Sequence, residues 1–99
     1  APYYVRRVEE FTRARATEPV SLSDMVEASG VSARSLHAGF QRFRNTTPMG
    51  YLKAYRLDLA RDLLLKGADD GSSVTRVALA CGFTHLSKFA RDYHERFGE

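Results

Sequence analysis

Apolar residues recur along this chain at intervals of three and four positions, the spacing that gathers side chains on one face of an α-helix. Three such stripes are formed by Tyr4, Val8 and Phe11, by Leu36, Phe40 and Phe43, and by Phe89, Tyr93 and Phe97. No stretch alternates apolar and polar residues in the way that a half-buried β-strand requires. The pattern therefore predicts an all-α fold.

Residues that typically begin and end helices divide the chain into six predicted helices. Serine and threonine hydroxyls cap free N–H groups at helix starts, proline suits the first turn, and glycine ends a helix. The predicted helices run from Pro2 to about Arg15, from Ser21 to Gly30, from Ser32 onward, from Pro48 to about Lys66, from Val74 to Cys81 and from Thr84 onward. The polar segment at 68–72 is the one predicted internal boundary.

Two of these helix pairs repeat the same pattern. Val26 and Gly30 match Ala78 and Gly82, while the first unit's Leu36 and Phe40 match the second unit's aromatic pair one residue later. Each unit has a short helix, a glycine, a tight turn with a hydroxyl cap and a helix with aromatic anchors, which is the helix-turn-helix pattern. We therefore predict a first helix-turn-helix subdomain at 1–47, a linker helix at 48–66 and a second subdomain at 67–99.

Basic residues are concentrated in the middle of the chain, although the net charge is only +3. Between positions 31 and 61 a single acid, Asp58, stands against Arg34, Arg42, Arg44, Lys53, Arg56 and Arg61. Such a zone is typical of a phosphate-binding face, and an ordinary solvated surface is the alternative.

Other features of the sequence indicate where the protein works and whether the chain is a fragment. The one cysteine, Cys81, lies between two small residues, which indicates a buried structural role, and it suits a reducing cytoplasm, where we expect the protein to work. No apolar run has the length of a membrane span, so no membrane partner is expected. The chain begins Ala-Pro-Tyr without methionine, which predicts a fragment of a longer protein.

The motifs of this chain, in order and spacing, resemble the DNA-binding domain of the AraC/XylS family of bacterial transcription regulators, and the segment at 82–89 is most similar to its XylS-like branch. The resemblance rests on VSARSL at 31–36, Phe40, Thr47-Pro48, Tyr51-Leu52, Arg56-Leu57, Ala60, Leu63-Leu64, Val77-Ala78, Gly82-Phe83, Phe89 and Phe97-Gly98. The chain departs from the family at Val26, where alanine is usual, and it stops at Glu99 before the usual proline and tyrosine-arginine pair.

The resemblance implies a homeodomain-like fold of about six to seven helices, with two helix-turn-helix subdomains joined by a long central helix. It also implies sequence-specific binding of double-stranded DNA for transcription regulation, with the two recognition helices in successive major grooves. A helix over 48–66 would span roughly 28 Å, close to the roughly 34 Å between successive major-groove faces.

The predicted base-contacting residues lie opposite the apolar stripes of the third and sixth helices. Rotation by about 100° per residue places on this outer face Arg34, His37, Ala38 and Gln41 in the third helix, and Ser87, Lys88 and Arg91 in the sixth. The resemblance adds Leu86. An arginine fork matches guanine O6 and N7, glutamine matches adenine, and an apolar side chain can contact a thymine methyl.

The predicted phosphate contacts lie at helix N-termini and at the end of the third helix. Free N–H groups and the helix dipole favour anions at the positions of Ser32, Ser35, Thr84 and His85. For Ser32 and Thr84 the alternative role is N-capping alone. Arg42 and Arg44 are further candidates, with a solvated surface position as the alternative.

Other function classes have weaker support in the sequence. His37, His85, His94 and Cys81 lack recognisable zinc spacing, so neither a metal nor a cofactor is expected. Without a nucleophile elbow or a phosphate loop, the chain is not expected to be an enzyme. The alternative function is a helical protein-interaction module, for example in contact with RNA polymerase, with incidental DNA affinity. An effector is expected to act only through another domain, and without a heptad seam this fragment is predicted to be monomeric.

Overall fold

The computed structural model describes residues 1–67 and 73–98, and this part of the chain forms six α-helices and no β-strand. Their bounds are α1 Tyr3–Arg15, α2 Leu22–Ser29, α3 Ala33–Arg44, α4 Pro48–Lys66, α5 Val74–Ala80 and α6 Leu86–Phe97. The predicted all-α fold is therefore confirmed. The segment at 68–72, predicted as an internal boundary, lies outside the described residues.

The chain divides into two compact units, Ala1–Tyr55 and Arg56–Glu99. The division falls inside α4, because Leu52 belongs to the core of the first unit and Leu57 to the core of the second. The sequence predicted the helix at 48–66 as the linker between two subdomains. In the structure this helix supplies side chains to both cores.

Local hydrogen bonds explain where the helices of the first unit begin and end. The Ser21 hydroxyl accepts a hydrogen bond from the N–H of Asp24 at 3.1 Å, and the Asp24 carboxylate accepts one from the N–H of Ser21 at 2.9 Å. This reciprocal capping box starts α2. Gly30 ends it in the left-handed conformation, with φ of 76°. Ser32 then caps α3 by accepting from the N–H of Ser35 at 3.1 Å, as predicted.

The core of the first unit draws on all four of its helices. Its fully buried side chains include Val5, Val8, Met25, Leu36, Phe40 and Leu52. The prediction that Phe43 shares this core is wrong, since 42% of its surface is exposed. The ring of Tyr51 lies 5.7 Å from that of Phe40 and helps fill the space beside it. Phe43 lies in the last turn of α3, where the Arg42 guanidinium stacks over its ring.

Helix α1 packs against α3 where the Tyr4 ring lies over Gly39. A Cβ atom at Gly39 would lie 2.5 Å from Cε2 of Tyr4 and 2.9 Å from its hydroxyl oxygen. Real Cβ atoms do not approach other atoms so closely, so the ring occupies the space that a side chain at position 39 would need. Glycine at this position therefore allows the close packing of α1 against α3.

An ion pair also joins α1 to the C-terminal end of α3. The Arg44 guanidinium donates from Nε to one oxygen of Glu9 at 2.7 Å and from Nη2 to the other oxygen at 3.0 Å. These hydrogen bonds lower the pKa of the Glu9 carboxyl, and the nearby charge of Arg13 and the Tyr51 hydroxyl act in the same direction. Partial burial opposes them. The Arg44 pKa is raised by the same pairing.

The second unit begins its helices differently from the prediction. Ser73 caps α5 by accepting from the N–H of Arg76 at 3.0 Å, a role the sequence analysis missed. The prediction that Thr84 caps α6 is wrong, because α6 begins at Leu86 and its N-cap residue is His85. His85 has an extended backbone conformation, and the Phe83 ring before it packs 4.7 Å from that of Phe89. The helix therefore starts later than the threonine suggests.

The second core is built around a buried cysteine. Its buried residues are Leu57, Ala60, Val77, Ala78, Cys81 and Phe89. Cys81 has no exposed surface, so its predicted structural burial is confirmed. Gly82 follows with φ of 93° and matches Gly30 of the first unit. Near the end of α6, Arg96 donates from Nε and Nη2 to the two carboxylate oxygens of Asp58 on α4, at 2.8 and 3.0 Å.

We predict that Gly39→Ala destabilises the protein. Alanine normally favours a helix over glycine by about 1 kcal/mol, but here the new methyl group meets the Tyr4 ring. Overpacking costs typically ~1–3 kcal/mol, so a net loss of up to about 2 kcal/mol is expected from urea unfolding followed by circular dichroism. In a Tyr4→Ala background the same change is expected to stabilise. A gain in stability with Tyr4 present would contradict the packing argument.

The lowered pKa of Glu9 predicts a pH-dependent contribution to stability. A carboxyl whose pKa is lowered by folding stabilises the protein above its unfolded pKa, and this contribution is lost as the pH falls through the folded pKa. Glu9→Gln is therefore expected to be less stable than the wild type at pH 7, and the difference is expected to shrink as the pH drops from about 5 to about 3.

Urea unfolding of both proteins across this pH range measures the difference. Glu10→Gln, which removes an exposed carboxyl from the same helix, is the control. A difference between Glu9→Gln and the wild type that stays constant with pH would exclude the ion pair as its source.

Candidate nucleic-acid interface

Helix α3 separates a buried face from an exposed face of predicted base-contacting residues. Leu36 and Phe40 are fully buried in the first core. Arg34, Ala38 and Gln41 are exposed and follow one another on successive turns of the helix, whereas His37 beside them is half-buried. The structure thus brings three of the four predicted residues into an accessible row and leaves the fourth partly covered.

Helix α6 shows the same separation in the second unit. Phe89 is buried, and the predicted contacts Leu86, Ser87, Lys88 and Arg91 are all exposed. Leu86 lies at the start of the helix, and 41% of its surface is exposed. It is therefore an accessible apolar side chain on this face. The Arg91 guanidinium is 4.0 Å from the carboxylate of the buried Asp92, and its side chain remains 65% exposed. It therefore stays accessible for a ligand.

The predicted phosphate-contacting residues at the two helix starts are all exposed, but their local roles differ. Ser32 already caps α3, and its hydroxyl also lies 3.1 Å from that of Ser35. Thr84 and His85 are exposed before α6, and the His85 side chain makes no capping hydrogen bond within the described residues. The N-terminus of α3 is thus capped by the Ser32 hydroxyl, whereas the N-cap residue of α6 makes no such hydrogen bond.

The two arginines at the end of α3 are in different situations. Arg42 is exposed and stacks over the ring of Phe43, with its guanidinium carbon 5.5 Å from the ring centre. Arg44 instead has its guanidinium engaged within the first unit, because it holds Glu9 at two points and donates from Nη1 to the carbonyl oxygen of Phe43 at 2.9 Å. Arg44 therefore has a structural role that the sequence did not indicate.

Two acidic residues that were not predicted to contact the recognition helices do so. Glu9 on α1 holds the end of α3, and Asp58 on α4 holds the end of α6. No local pattern in the sequence indicates these pairs, because each acid lies on a different helix from its arginine.

Two further observations concern metals and membranes. Across 1–67 and 73–98, histidine, cysteine and acidic side chains nowhere gather in the threes that could hold a metal ion. In the same part of the chain, no helix combines the length and the apolar character of a membrane span.

Comparisons with known proteins agree with this arrangement. A family model described as a helix-turn-helix domain matches residues 25–99. Among solved structures, a probable AraC family transcriptional regulator from Rhodopseudomonas palustris CGA009 superposes with a TM-score of 0.90 at 41% sequence identity. That superposition covers 99% of this chain and 90% of the other.

Two relatives are longer proteins. The chain is 38% identical to a probable thc operon regulatory protein of Rhodococcus erythropolis, covering 98% of this chain and 29% of that protein. It is 37% identical to XylDLEGF operon transcriptional activator 2 of Pseudomonas putida, covering 94% of this chain and 59% of that protein. On the family model and these similarities, the chain belongs to the AraC family of transcription regulators as a helix-turn-helix DNA-binding domain.

Proposed function

We propose that α3 and α6 read the bases of one asymmetric DNA site, each through its own major groove in successive turns of the duplex. The observation that carries this proposal is the repeated separation of faces, in which buried anchors hold each helix and a row of accessible side chains lies opposite them. A recognition helix needs both properties, because its contacts must be accessible and its orientation fixed. Reading of a single site by both helices is proposed from the family resemblance.

In this proposal the guanidinium groups of Arg34 and Arg91 form paired hydrogen bonds with the major-groove edge of guanine. Among the base-pair edges, this is the one that arginine matches best. Ala38 and Leu86 supply apolar contact to thymine methyl groups. The other predicted base contacts are His37, Gln41, Ser87 and Lys88. Partial burial restricts His37 more than the others.

We assign contacts with DNA phosphate groups to exposed residues beside the base-contacting faces of α3 and α6. These residues are Ser32, Ser35, Arg42, Thr84 and His85. Arg44 is left out of this set, since its donors already hold Glu9 and a backbone carbonyl. Contacts to phosphate position a protein on DNA without selecting its sequence.

The wider biological role is proposed from the family. The domain would regulate transcription in the bacterial cytoplasm, with RNA polymerase as a further partner and without a catalytic step. An effector would act through another part of a full-length regulator, and the domain by itself would be monomeric. The chain spans 29% of its Rhodococcus relative, whose name refers to an operon, so these roles are proposed for a larger protein.

We predict that selection from random duplex DNA with this 99-residue chain yields a motif of two blocks about one helical turn apart. Arg34→Ala is expected to blur one block and Arg91→Ala the other, because each loses an arginine–guanine contact worth ~1–3 kcal/mol of discrimination. Arg15→Ala removes the same charge from α1 and is expected to leave both blocks intact. A lack of any enriched motif, with only weak salt-labile binding, would overturn sequence reading by this domain.

We further predict that Arg42→Ala weakens binding to every duplex by a similar factor. Each phosphate contact contributes about 0.9 to the slope of log affinity against log salt concentration, so the slope is expected to fall by about one. Titrations at salt concentrations from about 50 to about 200 mM, where affinity depends steeply on salt, measure this slope. Arg15→Ala is the control. A loss confined to one sequence block would instead assign Arg42 to base reading.

A further inference from the structure

Each recognition helix ends in an ion pair of the same form. Arg44 at the end of α3 holds Glu9 on α1 through Nε and Nη2, at 2.7 and 3.0 Å. Arg96 near the end of α6 holds Asp58 on α4 through the same two nitrogens, at 2.8 and 3.0 Å. In both units the acid comes from the helix that precedes the helix-turn-helix pair.

The two pairs lie at similar places in the two units. Each arginine lies in the last turns of the second helix of its helix-turn-helix pair. Because the aromatic anchors of the second unit come one residue later after the glycine, the two arginines are one residue out of register once the anchors are aligned. An ion pair from the second helix to the helix before the pair thus occurs in both units.

An isolated ion pair at a protein surface usually contributes little to stability. A pair in which two guanidinium nitrogens bind the two oxygens of one carboxylate is the exception. Its planar two-point geometry adds directional hydrogen bonds to the charge attraction. The first pair is also partly shielded from water, with only 12% of the Glu9 side chain exposed. The second is more solvated, since 53% of the Asp58 side chain is exposed. We therefore expect the first pair to be the stronger of the two.

The position of the first pair along α3 indicates what it does. The turn at Gly30 and the cap at Ser32 fix the start of the helix, and the buried side chains of Leu36 and Phe40 fix its middle. Beyond Phe40 the helix leaves the core, as the exposed ring of Phe43 shows. The ion pair with Glu9 connects this end of α3 to α1.

We propose that Glu9–Arg44 and Asp58–Arg96 are positioning pairs that fix the orientation of each recognition helix on its supporting helix and so set the DNA specificity of that unit. The proposal rests on the proposed function. A constellation of binding side chains must be held within about 0.5 Å and 10–20° to act together. These four residues need not touch DNA to control which bases are read.

Removal of the Glu9 charge distinguishes this role from direct phosphate binding by Arg44. If Arg44 is a phosphate ligand restrained by Glu9, Glu9→Gln frees it, and the affinity for all duplexes rises with a steeper salt dependence. If the pair positions α3, the same change lowers the affinity for the selected duplex and leaves the salt slope unchanged. The two roles thus predict opposite signs.

The experiment measures the ratio of affinities for the selected duplex and a scrambled duplex, using the whole 99-residue chain. Glu9→Gln is expected to lower this ratio by about three- to tenfold, the effect of one ordinary hydrogen bond, because the pair is only partly shielded from water. Glu10→Gln, which changes the net charge equally from an exposed position of α1, is expected to leave it unchanged. In repeated selection, Glu9→Gln should blur only the block that Arg34→Ala blurs.

The second pair has its own test and control. Asp58→Asn is expected to lower the ratio by about two- to threefold, less than Glu9→Gln because the pair is more solvated. It should blur only the block read by α6. Asp62→Asn, which removes another exposed acid from α4, is the matched control.

Two further variants separate positioning from loss of folding. Arg44→Lys keeps the charge but cannot form the two-point contact, so the ratio should fall while helix content and salt slope are retained. The exchanged pair Glu9→Arg with Arg44→Glu should restore part of the ratio. Unchanged ratios in Glu9→Gln and Arg44→Lys, or stronger binding to both duplexes, would overturn the positioning role. If the wild type selects no motif, the proposed function itself fails, and that result is separate from either of these.

Discussion

Both units depend on a backbone reversal that places one helix across another within a few residues. Gly30 and Gly82 make this reversal with φ of 76° and 93°, values that a residue with a side chain adopts only at a cost. Once the chain has turned, Leu36 and Phe40 point into the first core and Phe89 into the second. The opposite face of each second helix is then left in water. The exposed row of polar and basic residues is thus a consequence of how the turn directs the apolar stripe.

The two units fasten their recognition helices to different degrees. In the first, α3 has a serine cap at its start and an ion pair with a nearly buried carboxylate at its end. In the second, α6 starts without a side-chain cap from the described residues, and its ion pair is more exposed to solvent. Aromatic side chains also pack along α6, and their rings lie 4.7–5.6 Å apart from Phe83 to Tyr93. The two helices thus differ in their N-terminal cap and in the solvent exposure of the ion pair at their C-terminal end.

The parts of this structure that sequence predicts are those decided by neighbouring residues. Ser21, Gly30 and Ser32 act within a single turn, and helix α4 was placed from Pro48 to Lys66 by its own end signals. Errors arose where distant parts of the chain decide. Phe43 fits the apolar stripe, but other side chains already fill the core beside Phe40. Thr84 has cap chemistry, but the packing of Phe83 on Phe89 delays the start of the helix. The partner of Arg44 lies on another helix, and no local pattern points to it.

The sharing of α4 between the two cores has a consequence for folding. Leu52 is buried in the first core and Leu57 and Ala60 in the second, on one continuous helix. A short isolated helix is marginal in water, because starting a helix costs more than extending it. If one unit unfolds, its part of α4 loses the packing that stabilises it, and fraying of the helix then reaches residues that the other core needs. Each core thus stabilises its own part of α4, and loss of either core is expected to destabilise the helix from that end.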